Sequence, residues 1–182
     1  MKKSVLWITQ TAVLLALIIV TQMVTKLLGQ LVTGSIVNFI LAVAVLSVGL
    51  SSGIIVALLS PFFAFLFGIG LPIWWLQALI AVGNIVLVMF LWLFVNRSYT
   101  KRTLNRYLLQ ISGIIIASSA KFFALWGLVV KLALPLLSSQ IKPAMVPTIS
   151  ATFSVPQLIT ALIGTFAAVA IVPTIKLAIN KK

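Results

Sequence analysis

IWWLQALIAVGNIVLVMFLWLFV, residues 73–95, is the stretch of this sequence that decides the fold. It contains no charged residue, and only Gln77 and Asn84 bring an amide side chain into it. The hydrocarbon core of a bilayer is about 30 Å thick, and a helix needs roughly 20 predominantly apolar residues to cross it. The stretch therefore predicts a transmembrane helix.

The same criterion finds five further apolar stretches along the chain. They cover residues 5–24, 36–50, 52–70, 108–134 and 157–179, and Pro61 lies inside the third of the six stretches. The second and third are separated only around Ser51, although their shared apolar run can be divided differently, and we expect them to form a tight antiparallel hairpin. The pattern predicts an all-α integral membrane protein, with six transmembrane helices in a single domain over residues 1–182.

Composition supports this interpretation. Hydrophobic residues make up 63% of the 182 residues and charged residues only 7%, whereas a water-soluble domain carries about 25% charged residues. A chain this small cannot bury so much apolar surface inside itself. The surface that remains is expected to face lipid.

The charge layout predicts the orientation. All 13 charged side chains are Lys or Arg, and they lie mainly in short segments between apolar stretches. Cytoplasmic loops of membrane proteins are enriched in Lys and Arg. With both termini cytoplasmic, the outer loops hold only Lys26 and Lys142. The inner side then holds Lys2, Lys3, Arg97, Lys101, Arg102, Arg106, Lys176, Lys181 and Lys182. This distribution is typical of topology signals, so no nucleic acid is expected as a partner.

The absence of Asp, Glu, His and Cys from the sequence excludes several kinds of chemistry. The usual acid–base pairs, a Ser-His-Asp triad and the common transition-metal ligands all require these residue types. Proton relays in pumps require intramembrane Asp, Glu or His. The sequence also lacks a phosphate-binding loop of the P-loop type. We therefore expect no enzyme, no metal, no cofactor and no energy source within the chain itself.

Lys121 is the strongest candidate site residue, because it lies inside the fifth apolar stretch. A Lys at the bilayer centre costs about 3 kcal/mol on insertion scales, and the chain has no carboxylate to pair with it. Two alternatives follow. The side chain either extends toward the interface or bonds backbone carbonyls, or it faces an inner cavity and meets an anionic or hydrogen-bond-accepting group of a ligand.

Several other polar and aromatic residues lie at comparable positions. Asn84 is in the middle of the fourth stretch and Asn38 is placed near the outer end of the second; each either joins two helices or contacts a ligand. Gln157 and Thr160 lie near the outer end of the sixth stretch, and Gln77 lies near the outer end of the fourth. Trp75 and its neighbour Trp74 either anchor the fourth helix at the interface or stack on a flat ligand.

The longest segment outside the predicted helices is residues 135–156, on the outer side. Pro135, Pro143, Pro147 and Pro156 are expected to prevent a continuous helix there. Because the segment is moderately apolar, we expect it to fold over the protein. A loop of this length is often a lid or a binding loop.

A family resemblance adds to these observations. AVLLA in the first helix, VGN in the fourth, SSAKFF in the fifth and FSVPQLITALIG entering the sixth resemble the substrate-binding S components of energy-coupling factor transporters. The likeness covers nearly the whole chain, and length and charge layout agree with it. It implies a multi-pass protein of the bacterial plasma membrane that binds a vitamin or related micronutrient from outside the cell.

The resemblance also implies partners and a site. The partners are a transmembrane T component and two cytoplasmic ATPase subunits; the small-residue pair Ala12 and Ala16 on the first helix is expected to contact the T component. The substrate site carries over to Asn84, Lys121, Gln157, Asn38 and Trp75. No acidic residue and no His are present, which disfavours cationic vitamins and cobalt or nickel ions. Pyridoxine or hydroxymethylpyrimidine is preferred over pantothenate or folate.

Two other classes of function stay open at this point. The chain could be a stand-alone channel or facilitator for small solutes, or an assembly factor that only packs against another membrane complex.

Overall fold

A computed structural model describes residues 3–96, 98, 103–137 and 141–180, and among these residues there are helices and turns but no strand. Six long helices follow one another: α1 (Lys3–Thr25), α2 (Gln30–Val43), α3 (Leu50–Leu66), α4 (Trp74–Phe90), α5 (Thr103–Leu125) and α6 (Val155–Asn180). Wider π-helical turns extend α2 over Ala44–Val48, α4 over Leu91–Val95 and α5 over Trp126–Ala133, and a last turn at Leu134–Leu136 completes α5. Short helices at Lys26–Leu28, Pro143–Met145 and Val146–Thr152 lie in the connections.

Five of these helical stretches are long and apolar enough to cross a membrane. They are Ser4–Leu28, Gln30–Val48, Trp74–Val95, Asn105–Leu136 and Pro143–Ala178, while α3 is a shorter apolar helix of 17 residues. Large apolar side chains such as Ile8, Val24, Phe123 and Ile163 are exposed on the outside of the bundle. Such a surface suits lipid rather than water. The chain is a multi-pass membrane protein.

The boundaries of α2 lie at two glycines and differ from the predicted positions. α2 begins at Gln30 instead of residue 36, and the break before α3 is at Gly49 instead of Ser51. Gly29 and Gly49 have φ angles of 83° and 132°, a region of backbone space that glycine occupies at little cost and other residues rarely adopt. The chain therefore turns at these two residues.

The expected hairpin of α2 and α3 is tight only at its turn. α3 touches the π-helical end of α2, Ala44–Val48, but packs mainly against α4 and α1, whereas α2 packs mainly against α6. A Cβ atom on Gly164 of α6 would lie 2.4 Å from the carbonyl oxygen of Ser35. Only glycine at position 164 allows α2 and α6 to approach this closely. Since α2 packs along α6, it diverges from α3 beyond the turn.

Buried apolar side chains form two clusters. The large cluster combines residues such as Ile18, Ile40, Leu41, Leu87, Leu91, Ile114, Ala117, Ala168 and Val172. The small cluster consists of Leu76, Leu125, Val129, Leu134, Ile141, Ile149 and Phe153. Along α4, Asn84 lies between Leu76 of the small cluster and Leu87 of the large one; along α5, Lys121 lies between Leu125 and Ala117. A layer of polar residues thus separates the two clusters.

The connection between α5 and α6 folds over the bundle, as predicted from its apolar character. Ile149 is fully buried, and together with Ile141 and Phe153 it belongs to the small cluster. Pro143 and Pro147 lie in the first turns of the two short helices, where the missing N–H group costs no hydrogen bond. These prolines start two short helices in the described part of the connection, where the sequence predicted only that no continuous helix would form.

Some predicted features fall outside the described residues. These are residues 138–140 of the outer connection and the cytoplasmic charges Lys2, Arg97, Lys101, Arg102, Lys181 and Lys182.

Candidate functional site

All six long helices contribute a polar side chain to one cavity of about 160 Å³. The contributors include Gln22 of α1, Asn38 of α2, Ser60 of α3, Gln77 and Asn84 of α4, Lys121 of α5 and Gln157 of α6. Residues 69–71, between α3 and α4, and Thr152 and Phe153, just before α6, also line the cavity. The cavity therefore lies at the level of the polar layer, toward the end of the bundle that carries these connections.

Lys121 lies midway along the stretch Asn105–Leu136 and is only 3% exposed. Its Nζ donates hydrogen bonds to Oδ1 of Asn38, at 2.6 Å, and to Oδ1 of Asn84, at 2.7 Å. The side chain thus points into the bundle and bonds side-chain amides. It does not extend toward the interface, and the described bonds are not to backbone carbonyls. Two amide oxygens take the place of the carboxylate that the chain lacks.

Glycine residues next to the polar layer bring the helices together at this point. A Cβ atom on Gly83 would lie 2.5 Å from Cγ of Leu125, so α4 and α5 approach each other beside Asn84 and one helical turn from Lys121. A Cβ atom on Gly164 would lie 2.8 Å from Cβ of Asn38. The VGN and LIG sequences therefore set the distances across which the polar groups meet.

Asn38 lies in the middle of α2 rather than near its outer end, because α2 begins at Gln30. Its Nδ2 donates to Oγ1 of Thr160 at 3.3 Å, and the Thr160 hydroxyl donates to the carbonyl oxygen of Gln157 at 3.2 Å. With the bond from Lys121, Asn38 joins α2 to both α5 and α6. The side chain thus serves as a helix connector and also lines the cavity.

Gln77 and Gln157 line the cavity and also hold its connections in place. Nε2 of Gln77 donates to the carbonyl oxygens of Leu71 and Ile73, each at 3.3 Å. Nε2 of Gln157 donates to the carbonyl oxygen of Thr152, also at 3.3 Å. These bonds fix the backbone of the two connections that line the cavity.

Trp75 lies outside the cavity lining, unlike the other four predicted substrate-site residues. It is half-buried and packs against the small cluster. Trp74 is 71% exposed, as an interfacial anchor would be. The aromatic side chain in the cavity lining is Phe153, which the sequence analysis quoted in a motif but did not select as a site residue.

Gln22 and Ser60 are cavity residues that the sequence analysis missed. Gln22 is 8% exposed and Ser60 only 1%. Oε1 of Gln22 and Oγ of Ser60 are buried, and neither atom has a hydrogen-bond partner in the described part of the chain. In the sequence, Gln22 resembles a polar residue at the end of a helix, and Ser60 stands beside Pro61, so nothing in the pattern marks either one.

The small-residue pair of α1 and a second lysine of the α5 stretch lie on the outside of the bundle. Ala12 and Ala16 are exposed on α1, which is the least buried of the membrane-length helices. Lys131 is also exposed, and its Nζ lies 4.8 Å from the centre of the Trp126 ring. The interior and exterior lysines of α5 thus have opposite surroundings.

The cavity offers donors and acceptors in an otherwise apolar bundle, an arrangement suited to binding a small polar molecule. An apolar cavity of about 150 Å³ holds one benzene molecule, so the volume corresponds to a ligand of about one ring.

Comparisons of this chain with protein-family models, with curated proteins and with solved structures each found no match.

Proposed function

We propose that this chain is the substrate-binding and translocating subunit of an energy-coupling factor type importer, which takes a small water-soluble vitamin across a bacterial plasma membrane. The observation that carries the proposal is the Lys121 site: a buried Lys held by Asn38 and Asn84 against a polar cavity. Polar and ionisable groups inside a membrane are expensive and usually functional. A bundle that needed only stability would place apolar side chains at these positions.

The size and lining of the cavity support a ligand of the pyridoxine or hydroxymethylpyrimidine type. Both compounds have a single aromatic ring, which agrees with a volume of about 160 Å³. Their ring atoms and hydroxyl groups match the amides, the Lys121 amine and the Phe153 ring that line the cavity. Folate is several times larger than one ring, and pantothenate has no ring to stack.

The proposal includes six spans with both termini in the cytoplasm. α3 has 17 residues, and at 1.5 Å per residue it is about 25 Å long, close to the thickness of the hydrocarbon core. Lys26 and Lys142 are the described lysines in the connections at the cavity end, and Arg106 and Lys176 lie toward the other end of the bundle. In the sequence, nine of the 13 Lys and Arg fall in the segments predicted for that other side, against two for the cavity end, and this excess favours the other side as cytoplasmic, with the cavity toward the exterior.

The proposal assigns the energy for transport to partner proteins. The sequence has no phosphate-binding loop and no acidic residue or His for a proton relay. A transmembrane T component and two ATPase subunits would supply the energy, and the exposed face of α1 with Ala12 and Ala16 is the proposed contact with the T component. Small residues allow two helices to approach closely in a membrane.

A thermal-shift screen of the purified chain tests the binding function. Pyridoxine, hydroxymethylpyrimidine and pantothenate are added to the parent protein, to Lys121→Met and to Lys131→Met, which changes the same residue type on the same helix but outside the cavity. At least one compound should raise the Tm of the parent and of Lys131→Met, with no shift in Lys121→Met. Equal shifts in all three proteins would place binding away from the cavity and contradict the proposal.

Uptake into vesicles separates import from the alternatives. The compound that binds should enter only with ATP and only when the T component and ATPases are present. Uptake by the chain alone without ATP would identify a facilitator. Binding of none of the compounds would leave an assembly factor as the better explanation.

A further inference from the structure

We infer that α1 and α3 form a second polar subsite of the cavity, in which Gln22 and Ser60 bind a hydroxyl group of the ligand. The inference rests on the proposed function, because it concerns the same ligand that Lys121 contacts. It adds a chemical requirement: the ligand carries a hydrogen-bonding hydroxyl in addition to the group that meets Lys121.

The two residues differ from the other polar residues of the cavity in their hydrogen bonds. Asn38, Asn84, Lys121, Gln77 and Gln157 all bond to other described residues. Gln22 and Ser60 line the same cavity, and Oε1 of Gln22 and Oγ of Ser60 are buried without a partner among the described residues.

The Ser60 hydroxyl, like that of Ser47, lacks the hydrogen bond that several other helical Ser and Thr residues make. A Ser or Thr inside a helix commonly bonds the carbonyl of the preceding turn. Ser35 does so with Leu31, and Thr21 with Leu17. Ser60 makes no such bond in the described structure, which leaves its hydroxyl available to a molecule in the cavity.

Unpaired buried polar atoms are costly, and more than 90% of buried polar backbone groups and most buried polar side-chain atoms in proteins are paired. Each unpaired group destabilises the folded protein, because it gives up its hydrogen bonds to water and gains none in return. Oγ of Ser47 and Nε2 of Gln110 are also buried without a partner among the described residues, but these two residues do not line the cavity. Gln22 and Ser60 do line it, so a partner that enters the cavity from outside the chain can reach this part of the bundle.

The chemistry of the two atoms points to a hydroxyl. Oε1 of Gln22 only accepts a hydrogen bond, whereas the Ser60 hydroxyl can donate or accept one. A ligand hydroxyl can donate to Gln22 and accept from Ser60 at the same time. A ligand hydroxyl can also accept a hydrogen bond from the NH₂ group of an amide. The ligand class is therefore the same for either orientation of the Gln22 amide. A methyl group in the same place would leave both atoms unpaired.

The test compares hydroxymethyl compounds with their methyl analogues. Pyridoxine and hydroxymethylpyrimidine are titrated beside deoxy analogues in which one hydroxymethyl group is a methyl group, using the parent, Gln22→Leu, Ser60→Ala and Lys121→Met. Gln10→Leu is the matched control, since Gln10 is on α1 but does not line the cavity. Gln22→Leu and Ser60→Ala should each weaken binding of a hydroxymethyl compound about tenfold and leave its methyl analogue unchanged, which corresponds to one hydrogen bond. Gln10→Leu should change neither.

The outcomes distinguish this inference from the proposed function. If Lys121→Met abolishes binding while Gln22→Leu and Ser60→Ala do not discriminate between hydroxymethyl and methyl compounds, the subsite is refuted and the proposed function stands. If no compound binds the parent, the proposed function and the second subsite are both contradicted.

Ligand-free stability provides a second readout that does not depend on any compound. Because neither atom has a partner within the described chain, Ser60→Ala and Gln22→Leu should leave the Tm of the ligand-free protein unchanged or raise it. A fall of several degrees in both variants would mean that the side chains stabilise the fold itself, which would overturn the inference.

Discussion

The same helices form the large cluster and the cavity, but they are closely packed in the cluster and leave open space in the cavity. In the large cluster, a Cβ atom on Gly53 would lie 2.8 Å from Cβ of Val45 and from Cγ1 of Val88, so the helices are packed as closely as their backbones allow. In the cavity, space of about 160 Å³ is left open and polar atoms are buried around it. The difference indicates that one region determines how the helices are arranged, and that the other leaves the space in which we propose that a ligand binds.

The two regions are interleaved along each helix. On α4, Asn84 lines the cavity while Leu87 and Val88 belong to the large cluster. On α5, Lys121 lies one turn from Ala117. Substitutions a few residues apart should therefore have different consequences, which makes the comparison testable.

The largest loss of stability is expected from Gly164→Ala. The added Cβ would lie 2.4 Å from the carbonyl oxygen of Ser35 and 2.7 Å from the backbone nitrogen of Phe39, so α2 and α6 must move apart. Overpacking of this kind costs about 2–3 kcal/mol, equivalent to a fall in Tm of roughly 5–10 °C for a chain of this size. Thermal unfolding in detergent measures it.

Gly127→Ala is the matched control for that substitution. A Cβ atom on Gly127 would meet nothing within 4 Å, and alanine favours a helix over glycine by about 1 kcal/mol. The control should be as stable as the parent or slightly more stable. Equal losses in both variants would contradict the close approach of α2 and α6.

A smaller loss of stability is expected from Asn84→Leu. This change removes the acceptor of the 2.7 Å bond from Lys121 and leaves the Lys with Asn38 alone, at a cost of about 2 kcal/mol. Ser118→Ala, which removes a 3.5 Å contact with Thr165 between α5 and α6, should cost less than about 1 kcal/mol. If Ser118→Ala were the more damaging change in thermal unfolding, the polar layer would not depend on the Lys121 bonds.

The sequence predicts the features that follow from local apolarity and from single polar residues within an apolar stretch. The uncharged run over residues 73–95 corresponds to the helical stretch Trp74–Val95. Lys121 is recognisable in the sequence because a Lys at the centre of an apolar helix is rare and costly. Asn38 and Asn84 were named as well, although not as the partners of Lys121.

Features that depend on tertiary contacts could not be predicted. Gln22 and Ser60 become cavity residues only because α1 and α3 pack where they do. The start of α2 was placed too late although Gly29, just before it, is a residue type that commonly ends or begins helices. The resemblance points to Trp75, but the aromatic side chain that lines the cavity is Phe153. The apolar pattern predicts that the connection before α6 folds over the bundle, but it does not predict which of its side chains reaches the cavity.

The smallest effect on stability is expected on the exposed face of α1. Ala12→Leu should leave thermal unfolding and ligand binding unchanged, because Ala12 is exposed. It should nevertheless reduce co-purification with the T component. Ala167→Leu, at an exposed position of α6, is the matched control and should retain the complex. Equal loss in both variants, or loss in neither, would remove α1 as the contact face.

The central claim is that the cavity faces the outside of the cell, and cysteine labelling tests it most directly. The chain has no Cys, so Thr148→Cys in the short helix Val146–Thr152 and Asn105→Cys near the start of α5 each introduce one thiol at an exposed position. A membrane-impermeant maleimide should label Thr148→Cys in intact cells and label Asn105→Cys only after the membrane is opened. Labelling of Asn105→Cys in intact cells, with Thr148→Cys protected, would contradict the claim.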